Sequence, residues 1–304
     1  MPTYADLAWH AKSRLHGWRA RRVLRTPPLR ARDDGVLILS MIGHRALWPY
    51  LVAAKSFGRA LGRGRFVIID DGTLRPADRA LLARHLDGPE ILPVAAVDTG
   101  PCPRGGTWER LLTILDRRAG HYVIQLDSDT VTIGGAVHEV ATAIEANRSF
   151  TLRGEADARL MGAAAFAVAR PPLPAGRPHV QRAMEAVIEQ VGIRGLRYVR
   201  GCSGFAGFAR SGDGRALAER VSAEGERLLG PDRWREWGTE QLTSNLVIAN
   251  EPDPLLLPYE RYLNYWGKAT PPDARLIHFL GTCRFTGDAY ARATAAAIGR
   301  LSAA

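Results

Sequence analysis

Asp127 and Asp129, with one residue between them, follow directly on the apolar run Tyr122-Val123-Ile124-Gln125-Leu126. Carboxylates at the end of a buried strand have no packing reason to be there, and hard divalent cations such as Mn2+ and Mg2+ prefer oxygen ligands. A cation held at this point can neutralise the charge that grows on a departing diphosphate. In a surface loop the same triplet would merely be solvated; the strand in front of it turns the reading toward metal, with Ser128 as a contact to the bound ligand.

His278 offers a third ligand. Alone before Phe279 in an apolar run it would pack as a core residue, but Gly281 lets backbone approach a phosphate and Arg284 adds a permanent positive charge. In that company a neutral His278 imidazole reads as completing the metal shell. Glu240 and Gln241 open a helical pattern over Thr239 to Ile248. A carboxylate there is either stabilised by the helix dipole or placed to deprotonate an acceptor hydroxyl.

Such residues need a scaffold that gathers them. Short apolar runs at Val36 to Met41, Phe66 to Ile69, Glu90 to Val94 and Tyr122 to Leu126 read as strands, and Leu47 to Leu61, Pro76 to His85 and Thr107 to Arg118 as helices between them. Strands joined by helix-length crossovers imply an α/β fold with a mainly parallel sheet covered on both faces. Ligands collect at the carboxyl ends of such strands. Asp70 and Asp71 stand at one of these ends, and Ser40, Ile42, His44 and Arg45 at another, as candidates for a nucleotide pocket. The competing readings are a turn capped by its own aspartates and a solvated loop. Past Thr130 glycine, proline and arginine accumulate; Gly204 to Phe208 and Arg275 to Phe279 are the later apolar pieces, expected to build a second substrate's site on the same sheet. Of the aromatics near Glu240, namely Trp234, Trp237, Tyr259, Tyr262, Tyr265 and Trp266, Trp237 is the candidate to stack on a sugar face.

With 304 residues, 46% hydrophobic and 24% charged, the chain can bury a core as a single domain. Residues 1–30 form a basic amphipathic N-terminal helix, 35–290 the catalytic domain (35–130 for nucleotide, 131–290 for acceptor), and 291–304 a tail, helical or frayed. Cys102, Cys202 and Cys283 have no paired spacing, which fits neither a disulfide framework nor a zinc cluster. Stretches such as Ala163 to Ala169 are too short to cross a bilayer, and a cytoplasmic place is expected. The net charge of +10 suits polyanions, lipid surfaces or phosphorylated substrates; no nucleic-acid motif is visible. Leu7, Ala11, Leu15 and Trp18 fall on one helical face, which either lies on anionic lipid of the inner membrane face or packs on the body with a solvated basic side opposite.

Several segments in order resemble the GT-A fold glycosyltransferases, most closely the glycogenin-like and lipopolysaccharide galactosyltransferase-like retaining family, glycosyltransferase family 8. Leu126-Asp127-Ser128-Asp129-Thr130 is similar to its metal strand, and Trp108-Glu109-Arg110-Leu111 to the helix whose arginine reaches the donor. Cys202-Ser203-Gly204 stands where the family has N-[SA]-G, Glu240-Gln241-Leu242-Thr243-Ser244-Asn245 where it has D-Q-x-x-x-N, and His278 to Arg284 where it has H-x-x-G-x-x-K. The departures are cysteine at 202, glutamate at 240 and arginine at 284. The resemblance implies a metal-dependent transfer of a hexose from a UDP-sugar to a glycan or glycolipid acceptor with retention. Arg110, Cys202, Ser203, Gly281 and Arg284 would then touch the donor, and Gln241 or Glu240 would serve the β-face of the sugar. Phe66 to Gly72 instead resembles the inverting GT-A enzymes, for which Glu240 is the general base. A non-enzymatic alternative is a peripheral membrane or polyanion-binding protein on an inactive transferase scaffold.

Overall fold

The computed structural model describes residues 4–173 and 175–303, with side chains from residue 8 onward; Leu7 of the expected helix face lies outside the described side chains. The first half runs α1 (Tyr4–Ala20), β1 (Val36–Ile42), α2 (Leu47–Leu61), β2 (Arg65–Asp70), α3 (Pro76–His85), β3 (Glu90–Pro93), α4 (Trp108–Arg117) and β4 (Tyr122–Leu126). The second half is more broken: β5 (Thr130–Thr132), α5 (His138–Glu145), β6 (Phe150–Arg153), β7 (Met161–Gly162), α6 (Ala163–Ala169), α7 (Val180–Glu185), β8 (Arg197–Tyr198) and β9 (Gly201–Phe208). It closes with α8 (Ala216–Leu229), α9 (Pro231–Trp234), α10 (Thr239–Ala249), β10 (Leu255–Leu256), β11 (Tyr262–Asn264), β12 (Leu276–His278) and α11 (Ala289–Ser302).

The middle layer is a seven-stranded sheet in the order β10-β6-β9-β4-β1-β2-β3. Its neighbours are parallel except where β9 runs against β4 and β6. Side chains alternate across a strand, so β1 sends Val36, Ile38 and Ile42 into one core and Leu37 and Leu39 into the other. β2 and β4 divide the same way, with Phe66, Ile68, Tyr122 and Ile124 on the first side and Val67, Ile69 and Val123 on the second. Helices therefore cover both faces, and the near-continuous Val, Ile and Leu content of these strands follows from that double burial.

A smaller sheet, β11-β12-β5, stands beside the main one. β5 pairs antiparallel with β12 in a register that sets Thr130 opposite His278. Backbone pairing thus brings residue 278 to the loop between β4 and β5, although nearly half the chain separates them.

The N-terminal helix forms but is turned the other way from one reading of its pattern. Ala11, Leu15 and Trp18 are exposed, while Trp9, His16 and Ala20 face the body. His16 stacks on Tyr290 with ring centroids 3.7 Å apart, Trp9 Nε1 donates to the Gly281 carbonyl at 3.2 Å, and Lys12 Nζ donates to that of Phe285 at 3.3 Å. Apolar spacing alone could not see that histidine and tryptophan would supply the buried side. Arg21–Arg25 tightens into a 3-10 turn. The buried Lys55 ammonium then fixes the chain beyond it, donating to the Thr26 carbonyl at 3.2 Å and hydroxyl at 2.6 Å and lying 3.1 Å from His85 Nδ1. Burial pushes Lys55 down to about 8. The C-terminal segment is a helix with Ala293, Ala297, Ile298 and Leu301 buried, not a frayed end.

His16 and His85 are both pushed down to about 4, chiefly by burial. The unfolded chain takes up these protons near 6.5 and the folded chain only near 4, so this contribution is complete above 6.5 and lost as pH falls toward 4. Thermal unfolding followed by circular dichroism should show Tm falling across that window, and His16→Gln should flatten part of the fall. An unchanged slope in that variant would remove His16 from the account.

Candidate functional site

The loop between β4 and β5 is held by its own backbone. Asp127 N–H donates to the Gly204 carbonyl at 2.9 Å, the Thr130 hydroxyl donates to the Asp127 carbonyl at 2.8 Å, and Phe279 N–H donates to the Asp129 carbonyl at 2.9 Å. These bonds tie the end of β4 to β9 on one side and to the end of β12 on the other. In consequence Asp127, Asp129 and His278 each present a ligand atom, all within 4.8 Å of one another. Ser128 lies half-buried between the two acids.

His278 is seated by neighbours on every side. Its Nδ1 lies 2.9 Å from Asn264 Oδ1 and 3.3 Å from Cys202 Sγ. Asn264 spends its amide N–H groups on the carbonyls of Arg153 and Gly154, so its oxygen is the atom offered to the ring. That assigns the Nδ1 proton to the Asn264 bond and leaves Nε2 for Asp129, whose Oδ1 is 3.3 Å away. A side-chain carbon on Gly204 would sit 2.3 to 2.6 Å from the ring atoms, so only glycine leaves room for this imidazole. Burial works against a charged His278, yet the Cys202 sulfur and the Asp129 carboxylate outweigh it and raise the ring well above 6.5.

Arginines balance the acids. Arg284 pairs with Asp129 and donates its Nε N–H to the Phe279 carbonyl at 3.0 Å. Arg110, buried on α4, pairs with Asp127 and lies 3.3 Å from Glu240. Burial raises Asp129, but His278 and Arg284 more than reverse it and bring it to about 2. Burial raises Asp127, with Arg110 pulling it back and Asp129 adding to the rise; Glu240 is raised by burial against the pull of Arg110. Three carboxylates thus share two guanidiniums. One acceptor atom, Asp129 Oδ1, is buried and has only the 3.3 Å approach of His278 Nε2 to satisfy it among the described residues. Two carboxylates and one imidazole around that buried oxygen fit a hard divalent cation.

Glu240 and Gln241 part company at the start of α10. Glu240 is enclosed, accepting from the Thr107 hydroxyl at 3.0 Å and the Ser203 hydroxyl at 3.3 Å besides its pairing with Arg110. Gln241 is half-buried and anchored at both ends: its oxygen accepts from Ser203 N–H at 3.3 Å and its nitrogen donates to Gln181 at 2.9 Å. Thr107, Gln181 and Asn264 escaped the sequence reading. Thr107 sits at φ +75°, a conformation uncommon for a residue with a Cβ, and no residue pattern announced it.

The first-half candidates are placed differently. The Ser40 hydroxyl is buried and donates to the Leu126 carbonyl at 2.7 Å, inside the sheet. Ile42 ends β1 beside Asp70, and Arg45 is exposed. His44 lies 2.7 Å from Asp78. Asp70 accepts from Gly72 and Leu74 N–H at 2.9 and 3.1 Å and pairs with Arg79; Asp71 accepts from Thr73 N–H at 2.9 Å. Both aspartates therefore do the turn-capping work weighed as the alternative. Gly43 permits the close approach, since a Cβ there would meet Asp71 oxygens at 2.1 Å. Gly281 is exposed, its carbonyl taken by Trp9. Among the aromatics, Trp237 is 68% exposed and Trp234 is core against Trp108. A cavity of about 470 Å³ lies elsewhere, between α2, the β5 end and α11, and holds none of the acids above.

No protein-family model and no curated protein matches the sequence. Solved structures do. The galactosyltransferase LgtC in complex with donor and acceptor sugar analogs aligns over 88% of this chain and 96% of its own, at TM-score 0.52 and 15% identity. An active-site mutant of LgtC aligns over 86% and 95%, at 0.51 and 13%. The bifunctional glycosyltransferase WbbM aligns over 91% of this chain at 0.51 and 14%; the chain spans about half of that protein, 53%. At such identities the likeness shows the fold alone, and the fold is GT-A: a mostly parallel seven-stranded sheet flanked by helices.

Gly204→Ala should crowd the His278 ring and weaken Mn2+ binding by about 10- to 100-fold, read by titration calorimetry. Because His278 is raised above 6.5, the free protein carries its proton at neutral pH and must release it to bind a cation. Mn2+ affinity should therefore climb with pH by up to about tenfold per unit while that proton is in place. A flat profile would remove His278 from the shell.

Proposed function

We propose that the chain is a metal-dependent glycosyltransferase that moves a hexose from a UDP-sugar to a hydroxyl of a glycan or glycolipid with retention of configuration, as in glycosyltransferase family 8. The observation that carries this reading is the cluster of Asp127, Asp129 and His278 at the strand end of a GT-A fold, with Arg284 beside it. The uridine, the hexose and the family rest on the resemblance of the ordered motifs.

In the reaction the bond from the anomeric carbon to the diphosphate oxygen breaks, a bond from that carbon to the acceptor oxygen forms, and the acceptor hydroxyl loses its proton. Asp127, Asp129 and His278 would hold Mn2+ or Mg2+, which supplies Lewis-acid neutralisation of the diphosphate. Arg284 provides a fixed positive charge at the same end of the cleft, and its fork suits phosphate oxygens. Stabilising a leaving group's charge with preset donors in a partly dry cleft is where such a site gains most of its rate. Arg110 holds Asp127 and Glu240 in place from beneath.

On the opposite side, Gln241 is the half-buried polar side chain at the head of α10, with its amide pinned between Ser203 and Gln181. A carbonyl oxygen fixed in that way can face the developing positive charge on the sugar. Glu240, enclosed by Thr107, Ser203 and Arg110, supports the sugar site and Gln241 from behind. An inverting reaction would instead need Glu240 free to take a proton.

Incubation with a panel of nucleotide sugars and Mn2+ should reveal donor hydrolysis, abolished by chelator. Asp129→Asn should lower kcat by on the order of 100- to 1000-fold, while Gln241→Ala should lower kcat with little change in donor affinity. Product of inverted anomeric configuration would discard retention; full turnover in Asp129→Asn would discard the metal site.

A further inference from the structure

The exposed side of α1 carries an arrangement that the transferase chemistry does not use. Trp18 is 70% and Leu15 47% exposed, and Ala11 continues the same strip one turn earlier. Residues three and four apart share a helix face, so these apolar groups form one ridge. Arg14 and Arg21 flank it on one side and Arg19 on the other, with Arg22 and Arg25 beyond its end, all exposed. From Ala8 to Arg32 the sequence contains no acidic residue. Among the described residues Arg14, Arg19, Arg21, Arg22 and Arg25 make no ion pair, whereas Arg110 and Arg284 do.

We propose that this face of α1 docks on an anionic lipid bilayer, with Trp18 and Leu15 entering the interface and the flanking guanidiniums meeting headgroup phosphates. Charge complementarity selects the occupant. A second copy of the chain would bring like charges together, and a nucleic acid would satisfy the arginines but leave the apolar ridge in water. A bilayer surface accommodates both at once: tryptophan at the headgroup level and basic residues around it. The helix is already anchored by its other face, so no folding is needed on docking. That buried face rests on the segment carrying Arg284, through Gly281 and Phe285, so lipid contact would orient the Asp127–Asp129–His278 cluster with respect to the surface. The inference stands independently of the transferase reading, and its test reads lipid binding alone.

Co-sedimentation of the full chain with vesicles of phosphatidylglycerol and phosphatidylcholine, against pure phosphatidylcholine, measures the partition. Binding should require the anionic lipid and weaken with salt. Trp18→Ala should lower the partition by about tenfold, and each neutralised arginine by about fivefold. Both positions are exposed, so unchanged circular dichroism melting serves as the folding control. In vesicles with brominated acyl chains, tryptophan emission should be quenched, and the quenching lost in Trp18→Phe. Equal partition into pure phosphatidylcholine, absence of binding, or anionic binding indifferent to Trp18→Ala would each overturn the proposal. Capture of a soluble polyanion such as heparin with the same affinity would point to a polyanion surface in its place.

Discussion

The site depends on the pairing of β5 with β12. The chain leaves β4 through the acidic loop and turns at once into β5, whose partner strand returns from the far end of the sequence with Thr130 opposite His278. Phe279 N–H closes the arrangement on the Asp129 carbonyl. Two members of the cluster come from a loop and the third from a strand more than a hundred residues later, but all three are fixed by main-chain hydrogen bonds. Side-chain rotation alone then aims them, and strands and their ends position such groups better than free loops.

Electrostatics makes the same loop expensive without compensation. Burying carboxylates at a strand end costs free energy unless opposite charges or a cation stand close. Here α4 contributes Arg110 from below and the turn after β12 contributes Arg284 from above, so each acid of the triplet has its own guanidinium. Glu240 joins through Arg110 and is otherwise stabilised by hydroxyl donors. With His278 protonated the three carboxylates are balanced by two guanidiniums and the imidazolium, and a dication that displaced the imidazole proton would leave a net positive charge, which is the condition under which a diphosphate would be attracted.

The doubly buried strands were legible because a run such as Val36 to Met41 has few other uses, and Leu47 to Leu61 and Pro76 to His85 match the helices end for end. The candidate cluster was legible from residue type and order. What stayed hidden depends on directions that a sequence does not carry. Asp70 could have faced a ligand or its own turn; its carboxylate caps that turn and pairs with Arg79, one helix turn into α3, which the sequence pattern did not announce. Ser40 lies inside β1, where its hydroxyl bonds a neighbouring strand's carbonyl. Asn264 and Gln181 looked like ordinary polar residues and became visible only as partners of His278 and Gln241. For α1 the apolar spacing was read correctly as a face, but which face meets the protein was settled by His16 stacking on Tyr290.

The departure from the family pattern at residue 202 acquires a physical meaning in this light. Cysteine there resembles a position expected to touch the donor sugar, yet its sulfur lies against Nδ1 of His278 on the side shared with Asn264. A thiol is a weak hydrogen-bond partner and leaves Asn264 as the stronger acceptor for the ring proton. Cys202 therefore packs against the imidazole of the Asp127–Asp129–His278 cluster, while Ser203 next to it carries the contacts to Glu240 and Gln241. Adjacent residues on β9 point to opposite sides, so one strand sets Cys202 against His278 and Ser203 against Glu240 and Gln241.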